Sequence, residues 1–448
     1  MSSREQFSSK TGFVMAAAGS AIGLGNIWGF PTQTASNGGA AFVAVYFLMT
    51  FCLAYPVLIA ELVIGRYARA NMVNALQEVA IGPITQKLGM GVGIYGVIVA
   101  SLILSFYGII AGWMICFLIE SVASMLGYEQ FSSWLTSFGF ERNILSMAVF
   151  MLLTMSIVAG GVEGGIEKWS TRLMPMLLVL MVVLIAYVLT QDGAAQGLRV
   201  YLLPDLSHFN PALVLNAMGQ AFFSLSLGVG TMLIYGSYLG KEESLPKLGA
   251  AVTLIDAGIA FTAGLLIIPA IYVAKELGTT VFAESGELIA GPDLIFQVLP
   301  SLFASMGSVG YLVAFAFFTL MTIASLTSSI SMLEVPVALV TEQSGMARKR
   351  ATAIISSVIF AVSTVILLNF EQLFDFVINL TTVYSQPLLA VAICVFSGWI
   401  WHRNKILAEI KQGHEDIEDS LFWKIWPIYV KFFCPVLILA AFLQSVIG

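Results

Sequence analysis

Residues 16–31 read AAAGSAIGLGNIWGFP. Gly19, Gly23, Gly25 and Gly29 crowd this stretch, polar Ser20 and Asn26 sit among them, and Pro31 closes it. Each glycine costs about 1 kcal/mol of helix propensity against alanine. The run therefore predicts local unwinding near residues 22–25 of an otherwise apolar helix. In hydrocarbon, freed backbone groups need new partners, so unwound chain is tolerated only where it lines a protein cavity. The alternative reading of the glycines is close helix packing, Gly19 with Gly23 in a small-xxx-small contact.

A second stretch, GQAFFSLSLGVGTMLIYGSY (residues 219–238), has the same flaw, with Gln220, Ser224 and Ser226 preceding Gly228 and Gly230. Working outward, apolar runs of membrane-spanning length recur along the chain. We read eleven spans, at roughly 11–36, 40–66, 88–122, 143–160, 169–190, 212–239, 248–274, 307–341, 351–369, 372–400 and 427–446. The two flawed stretches are the first and sixth of them. Flaws in corresponding places of two five-helix halves point to a 5+5 inverted repeat with a binding site at the bilayer midplane. Unwound carbonyls there suit a cation, and half-helix N-termini suit an anion. The expected fold is thus an all-α polytopic membrane protein of 11 transmembrane helices, with helices 1 and 6 broken. It forms one domain over 1–448: a first repeat over 1–190, a second over 212–400, and an extra helix 11 within 421–448.

Composition agrees. Of 448 residues, 58% are hydrophobic and 10% charged, with a mean hydropathy of +0.92. Soluble domains carry about 25% charged residues, so a soluble enzyme and a disordered chain are excluded. A net charge of −6 offers nucleic acid no basic footprint. A β-barrel would show alternating ten-residue segments instead. Cys52, Cys116, Cys394 and Cys434 lie in apolar runs and read as small core residues rather than disulfide or metal ligands. His208, His402 and His414 fall in polar connections, which leaves no His/Cys metal cluster.

The N-terminus, MSSREQFSSK, is too polar for a cleaved signal peptide. Placed in the cytoplasm, it brings most basic residues with it, from Arg66 and Arg69 to Arg348, Arg403 and Lys411. Only Arg142, Arg199 and Lys275 fall outside. The expected location is the inner (plasma) membrane, with the C-terminus outside. Residues 191–211 and 275–306 are long outer connections, the latter with an amphipathic piece, GPDLIFQVLPSLFASM. Residues 402–420 read as a solvated, mixed-charge connection.

These residues resemble the neurotransmitter:sodium symporter family, in its compact bacterial branch. The marks are GSAIGLGNIWGFP in span 1, Pro56, Glu61, Gly65 and Arg66 in a P-x-x-x-x-E-x-x-x-G-R pattern, SFYGIIAGW in span 3, GQAFFSLSLG in span 6 and ASLTSSISMLEVP in span 8. They occur in family order and cover nearly the whole chain. The resemblance implies sodium-coupled import of a small neutral amino acid by alternating access, two sodium sites, and no enzymatic activity. A proton-coupled carrier or exchanger of the same fold, and a sodium-regulated receptor without net transport, are the alternatives. Expected partners are the substrate and the bilayer, with no nucleic acid, in a monomer or weak dimer.

Ala324, Thr327 and Ser328 stand at i, i+3 and i+4, so one carbonyl and two hydroxyls share a helix face. The resemblance makes these the second sodium site, facing the carbonyls of Gly19 and Ile22. The hydroxyls could instead bond back to their own helix. The first site, by resemblance, comprises the Ala21 carbonyl, Asn26, Ser224 and a span-7 residue, matched here by Asp256. Chloride-dependent relatives carry asparagine at that position. A fixed carboxylate replaces the anion, attracting a cation at 4 Å by roughly 4 kcal/mol at an effective dielectric near 20. Sodium coupling without chloride is therefore expected, with Asp256 a candidate for protonation on the return step.

Amine transporters of the family place aspartate where this chain has Gly23, which leaves room for a substrate carboxylate. The resemblance directs that carboxylate to the first sodium, the amides near Leu24 and Gly25, and Tyr107. The ammonium goes to carbonyls of Ala21, Phe223 and Ser224, with Ser226 nearby. The side chain lies against Ile22, Ile103, Phe223, Val229, Ser328 and Met332, a lining that suits a large apolar or aromatic amino acid. Without the resemblance, Phe223 and Met332 would read as ordinary core. Where relatives carry the outer-gate arginine this chain has Gly29, leaving Asp375 of span 10 without its partner. Gln220 is a candidate to satisfy it, and Tyr107 over Phe223 remains as an aromatic lid. Arg4 matches the inner-gate arginine, with Glu342 its expected partner; alone it would read as a positive-inside residue. Glu61 is expected to pair with the broken backbone of span 1, and Glu334 to border the inner pathway.

Overall fold

The computed structural model describes residues 4–205, 209–281 and 292–447. His208 lies outside them, as do residues 282–291 of the long connection before span 8. Nine described helices are long and apolar enough to cross a membrane, and a bent pair makes a tenth. That pair is span 1, Lys10–Ala21 and Gly25–Ser36, with axes 55° apart. Ser9 caps the first piece, its Oγ accepting from Gly12 N at 2.9 Å. The helix ends at Ala21, residues 22 and 23 are non-helical, and the chain resumes with a π-helical turn over Gly25–Gly29. The predicted unwinding thus falls where the glycines concentrate.

The expected sixth span is Pro211–Ser224 followed by Thr231–Ser237. Neither piece alone is long enough to cross. Between them Ser226, Gly228 and Gly230 all take positive φ, at 52°, 89° and 82°. Glycine is required at 228, where a Cβ would lie 2.5 Å from the Gln386 carbonyl oxygen. Ser226 is held in its left-handed conformation by Thr231 Oγ1, which donates to the Ser226 carbonyl at 3.2 Å.

The remaining spans are Ala40–Ala68 (span 2), Pro83–Met125 (span 3), Phe140–Val158 (span 4), Val162–Val188 (span 5), Leu245–Glu276 (span 7), Ser308–Ser344 (span 8), Arg348–Leu368 (span 9), Phe370–Ile400 (span 10) and Leu421–Val446 (span 11). Span 8 packs along span 3, the first piece of span 1 is enclosed by spans 5, 7 and 8, and the second packs against span 7, span 2 and Pro211–Ser224. The breaks therefore lie in the protein interior, as unwound backbone at membrane depth requires.

Two expectations need correction. Glu61 does not pair with span 1. Its carboxylate accepts from Gly228 N at 2.6 Å and Leu233 N at 3.3 Å, and so fills the break of span 6. Residues 402–420 are not merely a solvated connection. Ile406, Glu409, Ile410 and Ile417 are buried, and Arg66 at the end of span 2 reaches Glu409 Oε1 at 2.7 Å.

Candidate functional site

Four buried side chains meet between the break of span 1, the end of the first piece of span 6, and span 7. Asn26 Nδ2 donates to Asp256 Oδ1 at 2.8 Å and lies 3.0 Å from Ser224 Oγ. Ser224 Oγ donates to Asp256 Oδ2 at 2.9 Å, and Tyr46 OH donates to Ser224 Oγ at 3.2 Å. Asp256 is fully buried. Among the described residues no lysine, arginine or histidine pairs with it. A buried carboxylate is stable only when paired or well hydrogen-bonded. Here the hydrogen bonds orient the oxygens and the charge has no protein counter-ion, so a small cation fits the donor set.

Farther along the same break, span 8 presents Ser328. Its Oγ lies 3.0 Å from the Ile22 carbonyl oxygen, 3.2 Å from that of Ser20 and 3.4 Å from that of Gly19. Three carbonyls freed by the end of a helix thus converge on one hydroxyl. Gly19 and Ile22 are where the sequence reading put them; Ser20 is an addition. Thr327 does not join them. Its Oγ1 bonds back to Ile323 and Ala324 carbonyls, both at 3.1 Å, which is the helix-internal arrangement weighed as the alternative.

Beside these two clusters is a cavity of about 340 Å³. Ala21, Gly23, Leu24, Gly25, Ile103, Tyr107, Phe223, Ser226, Val229, Ser328 and Met332 line it. Ile22 and Ser224, also expected there, lie behind its wall and are buried. At its base Leu24 N donates to Tyr107 OH at 3.2 Å. A Cβ at Gly23 would meet Ser328 Oγ at 2.6 Å and Tyr107 OH at 2.7 Å, so only glycine leaves this floor open. Trp28, Phe106, Ile110, Phe374, Thr382 and Gln386 also line the cavity and were missed. The aromatic residues among them had the spacing of ordinary apolar helix faces, and only the arrangement of spans brings them together.

The cavity runs up to Gly29 and Asp375. Asp375 is exposed, and among the described residues no cation pairs with it. Gln220 does not satisfy it; its Nε2 donates to the Gly25 carbonyl at 2.9 Å. The expected aromatic lid is also open. Phe223 is 38% exposed and packs beside Gly25, without a ring contact to Tyr107.

The N-terminal face is shut. Arg4 forms an ion pair with Glu342, donates from Nη2 to Ser237 Oγ at 2.7 Å, and lies over the Tyr238 ring. Phe7 N donates to the Tyr238 carbonyl at 3.1 Å, and its ring packs edge-on against Phe13 and Tyr235. Glu334 is buried, 2.5 Å from both Tyr238 OH and Arg348 Nη2. The molecule is therefore closed at this face and open at the opposite one.

A sequence profile described as the sodium:neurotransmitter symporter family matches residues 4–144 and 137–448. The chain belongs to this family. This symporter is 33% identical to the uncharacterized sodium-dependent transporter YhdH of Bacillus subtilis (strain 168), over 98% of its own length and 97% of that protein's. It is 30% identical to an uncharacterized sodium-dependent transporter of Haemophilus influenzae, over 99% and 98%. Among solved structures it is similar to MhsT in complex with L-phenylalanine, with a TM-score of 0.84, 36% identity, and 99% and 100% of the two chains covered. The symporter is a multi-pass, sodium-dependent membrane transporter of all-helical fold, and not an enzyme.

Proposed function

We propose that the symporter imports a large neutral amino acid, apolar or aromatic, together with sodium at two sites and without chloride. The observation that carries this reading is Asp256, a buried carboxylate without a counter-ion among the described residues, 2.8 Å from Asn26. Sodium at the first site is held by Asp256, Asn26, Ser224 and the Ala21 carbonyl, and also meets the substrate carboxylate over Gly23. Sodium at the second is held by Ser328 and the carbonyls of Gly19 and Ile22, with Thr327 and the Ala324 carbonyl joining after Thr327 rotates. The ammonium goes to carbonyls at the broken ends of spans 1 and 6.

The side chain extends toward Ile103, Val229 and Met332. These apolar walls support the substrate class, as does the similarity to MhsT, whose structure is in complex with L-phenylalanine. The spans form two five-helix halves, 1–190 and 212–400, that rock around the fixed site. The N-terminal face is cytoplasmic, and its Arg4–Glu342 pair is the inner latch. At the outer mouth Gly29 leaves Asp375 unlatched, so occlusion rests on Phe223 swinging over Tyr107.

Counterflow in proteoliposomes tests the reading. Labelled leucine, phenylalanine or tryptophan is expected to exchange only with sodium present, and equally in chloride and in gluconate. A steep loss in gluconate overturns chloride independence, and a preference for glycine overturns the substrate class. Sodium-dependent binding without exchange makes the protein a receptor.

A further inference from the structure

Lys431 is the one charged residue of span 11 between Pro427 and Val446. A cation inside an apolar span is costly and marks a functional position by default. Lys431 has no carboxylate partner among the described residues. Its Nζ lies 4.5 Å from the centroid of the Trp399 ring and 5.4 Å from that of Phe432.

Lys431 borders a cavity of about 390 Å³ between the end of span 10 and the start of span 11. His402 and Arg403 also line it, and no described acidic residue does. Arg403 packs over the Trp423 ring at 5.3 Å and forms no ion pair among the described residues. Trp401, another lining residue, is 4% exposed, and its Nε1 has no hydrogen-bond partner among the described residues. The neighbouring Trp399 differs, since its Nε1 donates to the Lys431 carbonyl at 2.9 Å. Both walls contain π-helical turns, Phe396–Ile400 and Tyr429–Phe433, a geometry frequent at functional sites.

The cavity lies toward the N-terminal face, because the helix that follows it is tied to the end of span 2 through Arg66 and Glu409. Around it Trp399, Ile428 and Phe432 are 57%, 55% and 48% exposed, the apolar surface that faces lipid. Indole rings of this kind settle at headgroup depth. Two cations without a carboxylate partner among the described residues, an unused buried N–H donor and an apolar surround together call for an anion with several acceptor oxygens on an apolar body. Basic pockets between membrane helices take phospholipid headgroups for this reason.

We propose that this cavity binds the phosphodiester headgroup of an anionic phospholipid, with Arg403 and Lys431 as its counter-ions and Trp401 Nε1 as a hydrogen-bond donor to a phosphate oxygen. The acyl chains lie along the exposed faces of Trp399 and Phe432. The site is separate from the transport cavity and does not depend on the substrate reading.

Thermal unfolding of the full-length protein in a neutral maltoside detergent tests this, titrated with short-chain phosphatidylglycerol, phosphatidylcholine or inorganic phosphate. Phosphatidylglycerol is expected to raise the midpoint saturably, and the other two to leave it unchanged. Each surface cation contributes about fivefold to anionic-lipid affinity. The R403Q/K431Q double variant is therefore expected to need roughly 20- to 30-fold more lipid for the same rise. W401F, which keeps the ring and loses the N–H, is expected to show a smaller loss. Equal rises with phosphatidylcholine, or with inorganic phosphate, overturn the proposal. So does a double variant that keeps the parent's lipid-free midpoint and its lipid response. Should the double variant fail to fold, W401F decides, and an unchanged lipid response there overturns the assignment.

Discussion

The two broken spans contain similar residues and meet opposite ends. In span 6 the break is filled by the protein itself, since Glu61 accepts from Gly228 N and Leu233 N at the head of Thr231–Ser237. A carboxylate at a helix N-terminus satisfies orphan N–H groups and sits at the positive end of the helix dipole. In span 1 the break exposes the other pole, the carbonyl end of Lys10–Ala21. Its oxygens meet the hydroxyl of Ser328 and, at Ser20, that of Ser226 at 3.4 Å, and no protein cation answers them among the described residues. One break is satisfied within the protein; the other leaves its negative pole free for the sodium proposed above.

The sharpest way to break this contrast is at Asp256. Removing an attraction of about 4 kcal/mol by Asp256→Asn is expected to weaken sodium binding by two to three orders of magnitude, measured by sodium-dependent substrate binding. A near-normal sodium titration would mean that the first site lies elsewhere. Glu61→Ala attacks the joint instead. It leaves two buried donors unpaired, at about 1–3 kcal/mol each, so the expected loss is in stability, read as a fall in melting midpoint. Sodium affinity of the folded fraction should stay near that of the parent. If sodium affinity collapses while the midpoint holds, the two breaks do not divide their roles in this way.

Ser328→Ala removes the hydroxyl that faces the Gly19, Ser20 and Ile22 carbonyls together. A fall in sodium affinity of about tenfold is expected, in keeping with a loss of about 1.5 kcal/mol for a hydrogen bond to a charged group. Because Thr327 is bonded to its own helix in this structure, Thr327→Ala should do less than Ser328→Ala. The smallest effect is expected from Gly29→Arg. A Cβ at residue 29 makes ordinary contact with Gln220, 3.5 Å from its Oε1, so the side chain has room to reach Asp375. The prediction is a few-fold slower substrate release with the maximal binding unchanged.

Much of this was legible from residue types alone. Glycines clustered with polar residues in an apolar run can only weaken a helix, so both breaks were visible as composition. An aspartate within span 7 stood out because hydrocarbon tolerates no idle charge. What was not legible depended on which surfaces meet. Glu61 could have served either break, because both offer freed N–H groups, and only the packing of span 2 against Thr231–Ser237 decides between them. The choice of Thr327 between a cation and its own helix is a rotamer, invisible in the residue name. Phe374 and Trp28 reach the cavity through the crossing of distant spans. The burial of one face of residues 402–420 did leave a trace, since Ile406 and Ile410 stand one helical turn apart with Ile417 to follow, and a mixed-charge surround masked it.

Glu342 answers Arg4 and also accepts from both the backbone N and Nδ2 of Asn71, at 2.8 Å each. Asn71 in turn caps the helix Met72–Val79 through Val73 N and Asn74 N. Ser237 and Tyr238 give Arg4 its other contacts, while Arg4 and the cap of that helix share a single carboxylate. Loosening either one strips Glu342 of a donor and weakens its hold on the other. Under the import cycle proposed above, opening this face draws on both partners together, since releasing Arg4 from Glu342 also disturbs the carboxylate that steadies the cap of Met72–Val79.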